Sequence, residues 1–468
     1  METLSAAPAT AEAFDPAAVE RALSARCAQL VAAAKTRGAD EAEAFGMRAK
    51  TIAVRFEKGD LKLAQVDEGS SLGLRVFRGQ RLGFTSTNQA ERAALERCAD
   101  EALALARFAP PDAHNRLPAA RVVRRQPSLV DPALAGLSVA ELVELGRRFV
   151  ERVARRDKRL SIDAASVELA RATQALWATT GAQAAESDCI FSCSIGALAV
   201  EGADVGGMHY EGEAVRTLGA LEAALERVAD AVATNALENL AAARGESYSG
   251  AVLFAPDAFF DVFVAPLVAA ASAIAVQRGR SPLAGRLGTR IASEALEILD
   301  DPSDRTLAGC ASFDREGQPA LPYPLVTRGA LAGYLYNGYA AAVEGRTSTG
   351  NAKGGARGVP GLGAHALVVQ GGAGGSRAEM LAELGRGLFV QRFSGTVEPA
   401  SGDFSGVAKS SRWVEGGQIV RPVREMLLSG NLYQLLHRLR RLSSVEERLS
   451  GSARAPYAIV EGLSVTAG

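Results

Sequence analysis

At 468 residues the chain is too long for one ordinary core, so two domains, or three subdomains, are the default. Its 52 basic and 53 acidic residues nearly cancel, which excludes a global field favouring nucleic acid or an anionic membrane, and partners must be recognised by shape. Five cysteines in so long a chain point to reduced thiols in a cytoplasmic protein, not to a disulfide frame.

Residues 1–15 carry an acid at Glu2, no basic run and no apolar run, so they read as a frayed tail and not as a secretory signal. Helical spacing of apolar residues predicts a helix over 16–37, stopped by Gly38. Strands follow at 41–55 and 62–66, then a hairpin of 73–77 and 81–85 around Arg78-Gly79-Gln80. A helix over 88–107 ends at Ala109-Pro110-Pro111-Asp112. A third helix over 138–156 leads to strands at 160–169, 175–180 and 188–200, a turn region at 202–212, and a helix over 214–238. The arginines between Arg147 and Arg159 alternate with Phe149, Val150 and Val153, as on the wet side of an amphipathic helix. Cys189, Phe191, Cys193 and Ile195 alternate with period two, so both thiols belong on the core face of a strand.

The second half changes character: an Ala-rich helix over 256–276, whose apolar run from Val262 to Val276 is too short and too diluted by alanine and a proline to span a bilayer, and then many short strands punctuated by Gly and Pro. The fold class is therefore α+β. A tail over 1–15 precedes an α/β-sandwich-like domain over 16–242, with room for a split into two subdomains near 110–137. A sheet-dominated, barrel-like domain follows over 243–468. The glycine-rich stretch from Gly354 to Gly363 lacks the Gly-Lys-Ser/Thr of a phosphate loop, and supplies loops or bulges instead.

Three segments near the end stand out: Ser401-Gly402-Asp403-Phe404-Ser405-Gly406, Trp413-Val414-Glu415-Gly416-Gly417, and the stretch from Pro422-Val423 to Ser429-Gly430-Asn431-Leu432. Together they resemble the C-terminal signature of the TldD/PmbA family of peptidase-related proteins. The hairpin around Arg75-Val76 and Gly83-Phe84 resembles the family's N-terminal signature. In that family, TldD-like chains carry a zinc-binding His-Glu-x-x-x-His helix, while PmbA-like (TldE-like) chains lack it and pair with a TldD-like chain. The metal helix lies just ahead of a segment that Ser281-Pro-Leu-Ala-Gly285-Arg-Leu-Gly288 resembles. Counting back reaches Val264 to Ala269, where this chain reads Val-Ala-Pro-Leu-Val-Ala.

A zinc peptidase needs three protein ligands and a carboxylate that takes a proton from the bound water. The four histidines, His114, His209, His365 and His437, are scattered singly, and none lies within a helical turn of another. Gly345-Arg-Thr-Ser348-Thr-Gly350 lacks a histidine partner, and Asp300-Asp301-Pro302-Ser303 reads as the start of a turn. No catalytic or metal residue is assigned. What remains suits a peptide backbone: Tyr336, Asn337, Thr349, Gly350 and Asn351, and Gly402, Asp403, Phe404 and Ser405, with a peptide adding to a sheet edge. The resemblance implies that these segments line a chamber shared with a TldD-like partner, which would bring the zinc, and that the substrate is an unfolded or modified peptide. No cofactor, nucleic acid or membrane is expected for this chain, and a homodimer is possible in isolation. The alternative is a peptide-binding or assembly protein with no proteolytic role.

Overall fold

In the computed structural model, which describes residues 14–467, the chain enters its fold at Phe14, packed on the N-terminal core, and Asp15, whose carboxylate accepts from Ala18 N at 3.1 Å. The rest of the expected tail, 1–13, lies outside the described residues. Asp15 thus caps α1 (Pro16–Thr36), with Pro16 at the first helical position, where its missing N–H costs nothing. Then come β1 (Glu41–Glu57), β2 (Asp60–Arg78), β3 (Arg81–Thr87), α2 (Arg92–Phe108), α3 (Pro132–Ala135) and α4 (Val139–Ala154), the last opened by a Ser138/Glu141 capping box. Next are β4 (Leu160–Ala178), β5 (Gln183–Glu201), β6 (Asp204–Val205), β7 (His209–Val215) and α5 (Leu218–Leu237). The strands form one antiparallel sheet in the order β3-β2-β1-β4-β5, with β6 and β7 both on β5.

Strand alternation assigns the two faces of this sheet. Ala42, Ala44, Ile52, Val54, Leu72, Leu74 and Val76 point to one face, where α1 and α2 cover one end and α4 and α5 the other. Cys189, Phe191, Cys193 and Ile195 join this side and are all buried, and burial pushes both thiols up to about 12. Arg148 and Arg152 of α4, with Arg156 in the turn just after it, form a ladder with Glu222, Glu226 and Asp230 of α5, so the basic run lies along an acidic helix face. Phe45, Phe77 and Leu176 point to the other face, against Phe313 and Ala356 of the second half. Glu43 and Arg75 sit directly opposite each other there, and Arg75 donates to Glu43 at 2.7 Å and to Glu316 at 2.8 Å, while Arg315 donates to Glu43 at 2.7 Å. This fully buried four-charge cluster locks the halves together. Gly73, across from Phe45, leaves the gap that Ala356 enters: a Cβ there would stand 2.1 Å from Ala356 O.

The second half opens with β8 (Tyr248–Phe254), α6 (Pro256–Phe259), a π-helical turn (Phe260–Val264), α7 (Ala265–Ala270) and α8 (Ala273–Gln277). β9 (Ile298–Asp300), β10 (Tyr323–Thr327), β11 (Ala330–Leu331), α9 (Gly338–Val343), β12 (Ala352–Lys353), β13 (Gly361–Leu362), β14 (Leu367–Val369) and α10 (Arg377–Leu384) follow. The chain closes with β15 (Gly387–Val390), β16 (Arg392–Val397), β17 (Asp403–Lys409), β18 (Arg412–Glu415), β19 (Gln418–Pro422), β20 (Met426–Asn431), α11 (Leu432–Leu436), β21 (Leu439–Leu449) and β22 (Ala453–Ala467). Thirteen of these strands make one branched sheet with β22 at its hub, pairing with β14, β8, β20 and β21. Ala258, Phe259, Val262, Phe263 and Leu267 are buried against Val252, Val390, Phe404, Leu428 and Val460, so the sheet wraps the helical segment as its core.

Several sequence expectations are corrected. The strands expected at 62–66 and 73–77 are one strand, β2, and those at 160–169 and 175–180 are one strand, β4. The region read as turn at 202–212 contains β6 and the start of β7, which runs to Val215, so the next helix begins at Leu218 and not at 214. The single helix expected over 256–276 is interrupted twice. Pro266 has no N–H to give to the preceding turn, and the π turn lies just before it. At Ala271 the backbone leaves the helix: Leu335 N donates to Ala271 O at 2.9 Å, and Ala273 N donates to Leu335 O at 3.0 Å. Among the described residues, no helix is long and apolar enough to cross a membrane.

Candidate functional site

The positions counted as the family's metal helix fall at the end of the π turn and on α7. Val264 is buried, while Ala265 and Ala269 reach an open cleft of about 470 Å³. Its floor is Ala265, Val268, Ala269 and Ser272, its walls Leu335, Leu362, Gly363 and Ala364, and its one charged lining residue is Arg280. Methyl and isopropyl groups offer neither a lone pair for a metal nor a proton acceptor, so these residues do not fit zinc. The cleft is a shaped apolar surface.

The first group of expected peptide-binding residues gathers beside this cleft. Tyr336 N donates to Thr349 Oγ1 at 2.9 Å, Thr349 Oγ1 to Asn351 Oδ1 at 2.6 Å, and Ser348 Oγ to Tyr336 O at 3.1 Å. Asn351 Nδ2 reaches Asp300 at 2.7 Å and Gly363 O at 3.3 Å, while Asn337 Nδ2 reaches Gly361 O at 3.2 Å. The two amides therefore pin the 361–363 wall, and Tyr336 follows Leu335 of the opposite wall. Gly350 has φ +78°, and a Cβ there would lie 2.3 Å from Pro319 O. These side chains hold the cleft's shape more than they line it.

The second group sits on a different element. Phe404 is buried edge-on against Phe263, with ring centroids 6.0 Å apart, and so braces the π turn from the far side. Asp403 and Ser405 are exposed, and Asp403 accepts from Asn431 Nδ2 at 2.9 Å. Gly402 takes φ +83° beneath the Tyr433 ring. A peptide strand cannot add at β17, because β16 and β20 already occupy both of its edges. Any contact with substrate here is through side chains.

The histidines are less isolated than their spacing suggests. His209 bonds Glu211 at 2.7 Å, and His365 sits in a polar cluster that the sequence did not indicate. Its Nε2 lies 2.7 Å from Gly350 O and its Nδ1 2.7 Å from Lys353 Nζ. Asp300, read as part of a turn, accepts from His365 N, Ala366 N and Asn351 Nδ2, while Asp301 turns the chain by accepting from Ser303 N. Ser348 has no imidazole beside it among its hydrogen-bond partners. Among the described residues, no three His, Cys, Asp or Glu side chains are grouped as metal ligands.

Comparison with known proteins decides the family. Residues 247–467 match the PmbA/TldA metallopeptidase C-terminal domain, and residues 42–106 match the PmbA/TldA metallopeptidase domain 1. The chain belongs to the PmbA/TldD family. It is 28% identical to Metalloprotease PmbA of Escherichia coli O157:H7 over 406 residues, 84% of this chain and 85% of that protein. It is 30% identical to an uncharacterised Methanocaldococcus jannaschii protein over 218 residues, 46% of this chain and half of that one. The crystal structure of TldE from Thermococcus kodakarensis has the same fold, with a TM-score of 0.86 at 22% identity, covering 94% of this chain and 100% of that one.

Proposed function

We propose that this PmbA/TldD-family chain is the non-catalytic, TldE-like subunit of a cytoplasmic zinc peptidase pair. It shapes a shared chamber and holds an unfolded or modified peptide, while a His-Glu-x-x-x-His-bearing subunit supplies zinc, base and nucleophilic water. The observation that carries this reading is the apolar cleft over Ala265, Val268 and Ala269, at the positions where a metal helix would put its ligands. A groove that size suits one or two apolar side chains of an extended peptide, with Arg280 at its edge. Ala269→Trp, made in a co-expressed pair, fills the cleft from an exposed position without disturbing the core. The expected result is at least a tenfold loss of peptide turnover with the pair still assembled, and full turnover would remove the cleft from the substrate path.

A further inference from the structure

Between the N-terminal sheet and the second half lies another cavity, of about 240 Å³, bordered by Met47, Gln174, Glu186, Cys310, Lys353 and His365. Lys353 brings the amine. A carbonyl oxygen can only accept, so the 2.7 Å contact with Gly350 O places the His365 proton on Nε2 and leaves Nδ1 as a lone pair. Lys353 Nζ, 2.7 Å away, therefore donates to Nδ1, its one hydrogen-bond partner among the described residues.

The surrounding carboxylates are engaged elsewhere. Asp314 accepts from Glu316 N, Gln318 N and Ala352 N, and Asp300 from His365 N, Ala366 N and Asn351. Glu186 takes Ser312, Asp188 takes Arg216, and Arg315 is committed to Glu43 and stacked over Phe45 at 4.1 Å. Lys353 is half-buried with no carboxylate of its own, and burial, opposed by the more distant Asp300 and Asp314, brings its amine down to about 8. The Cys310 thiol beside it is pushed up by burial to about 11 and stays protonated.

We propose that this cavity is a binding site for a small carbonyl compound, with Lys353 as the amine that condenses with it. The Nζ lone pair attacks the carbonyl carbon and the C=O π pair moves to oxygen. That oxygen takes a proton from the nitrogen, giving a neutral carbinolamine. Loss of the hydroxyl with a second nitrogen proton, together as water, leaves the imine, which hydrolysis reverses. The cavity is separate from the apolar cleft, so the proposal does not depend on the peptidase reading.

The test uses the full-length chain with one equivalent of propanal and cyanoborohydride at pH 7.5, and mass-spectrometric mapping of every lysine, with the α-amino group scored separately. At that pH an amine of pKa about 8 is neutral roughly two hundred times more often than an ordinary lysine near 10.4. Allowing for restricted access, Lys353 is expected to carry at least tenfold more label than Lys35, Lys50, Lys58, Lys62, Lys158 or Lys409, with the excess shrinking as the pH approaches 10.5. Labelling of Lys353 no faster than the others, or a preference that survives in urea, would overturn the proposal. Lys353→Arg keeps the donor to His365 and is expected to fold normally and lose the dominant adduct; an undiminished adduct would equally overturn it.

Discussion

Glu43→Gln tests the joint between the two halves. Glu43 takes Arg75 on one carboxylate oxygen and Arg315 on the other, both at 2.7 Å, and Arg75 also reaches Glu316 at 2.8 Å. Two acids balance two guanidinium groups, and all four side chains are at most 6% exposed. The amide would leave a net buried positive charge and turn an N–H₂ toward one of the arginines. Removing one partner from such a cluster costs about 3–5 kcal/mol. The assay is urea unfolding followed by fluorescence in two single-tryptophan backgrounds, one keeping Trp177 on β4 and the other Trp413 on β18. The variant should unfold at lower urea, with the Trp177 and Trp413 transitions drawn apart. A loss under about 1 kcal/mol with coincident transitions would refute the assignment of this cluster as the lock between the halves. Acid gives a second check. Burial alone would raise the Glu43 carboxyl, but Arg75 and Arg315 together hold it below its ordinary value of 4.5. The stabilisation is therefore fully present above that value and lost as pH falls through the depressed folded one, so the wild type should lose stability more steeply than Glu43→Gln below pH 4.5. Replacing Glu43 and Arg315 together by methionine should cost less than Glu43→Gln alone, since no charge is then left unpaired at that pair.

Gly350→Ala forces a left-handed φ on alanine and a Cβ onto Pro319 O, so it should cost about 2–4 kcal/mol, read from the thermal or urea midpoint. Asp403→Ala breaks a surface bond to Asn431 worth about 1 kcal/mol and should leave the stability and zinc content of a co-expressed pair nearly unchanged while lowering its peptide turnover about tenfold. Unchanged turnover would make Asp403 a turn residue only.

Local grammar made much of the fold legible. Gly38 ends α1, and the period of Cys189 to Ile195 placed a strand face in the core. What stayed hidden depends on contacts far apart in the chain. β2 looked broken because its first half, around Asp67-Glu68-Gly69, is solvent-exposed, so no apolar alternation marks it as strand. In the helix over 256–276 the first break has a local cause in Pro266, but the second was hidden because the hydrogen bonds that make it come from Leu335. Glu43 meets Arg315 across a separation of 272 residues, which no spacing rule detects. The expected peptide-binding residues were found as small, polar, glycine-flanked segments. Composition could not tell the group that shapes the cleft from the group that braces the π turn behind it, nor that β17 is paired on both edges.

The most direct measurement is zinc content together with hydrolysis of an unfolded peptide, for this chain alone and after co-purification with a His-Glu-x-x-x-His-bearing relative. The account predicts neither zinc nor cleavage for the lone chain and both for the pair, at one zinc per heterodimer. Stoichiometric zinc with cleavage in the lone chain would contradict it.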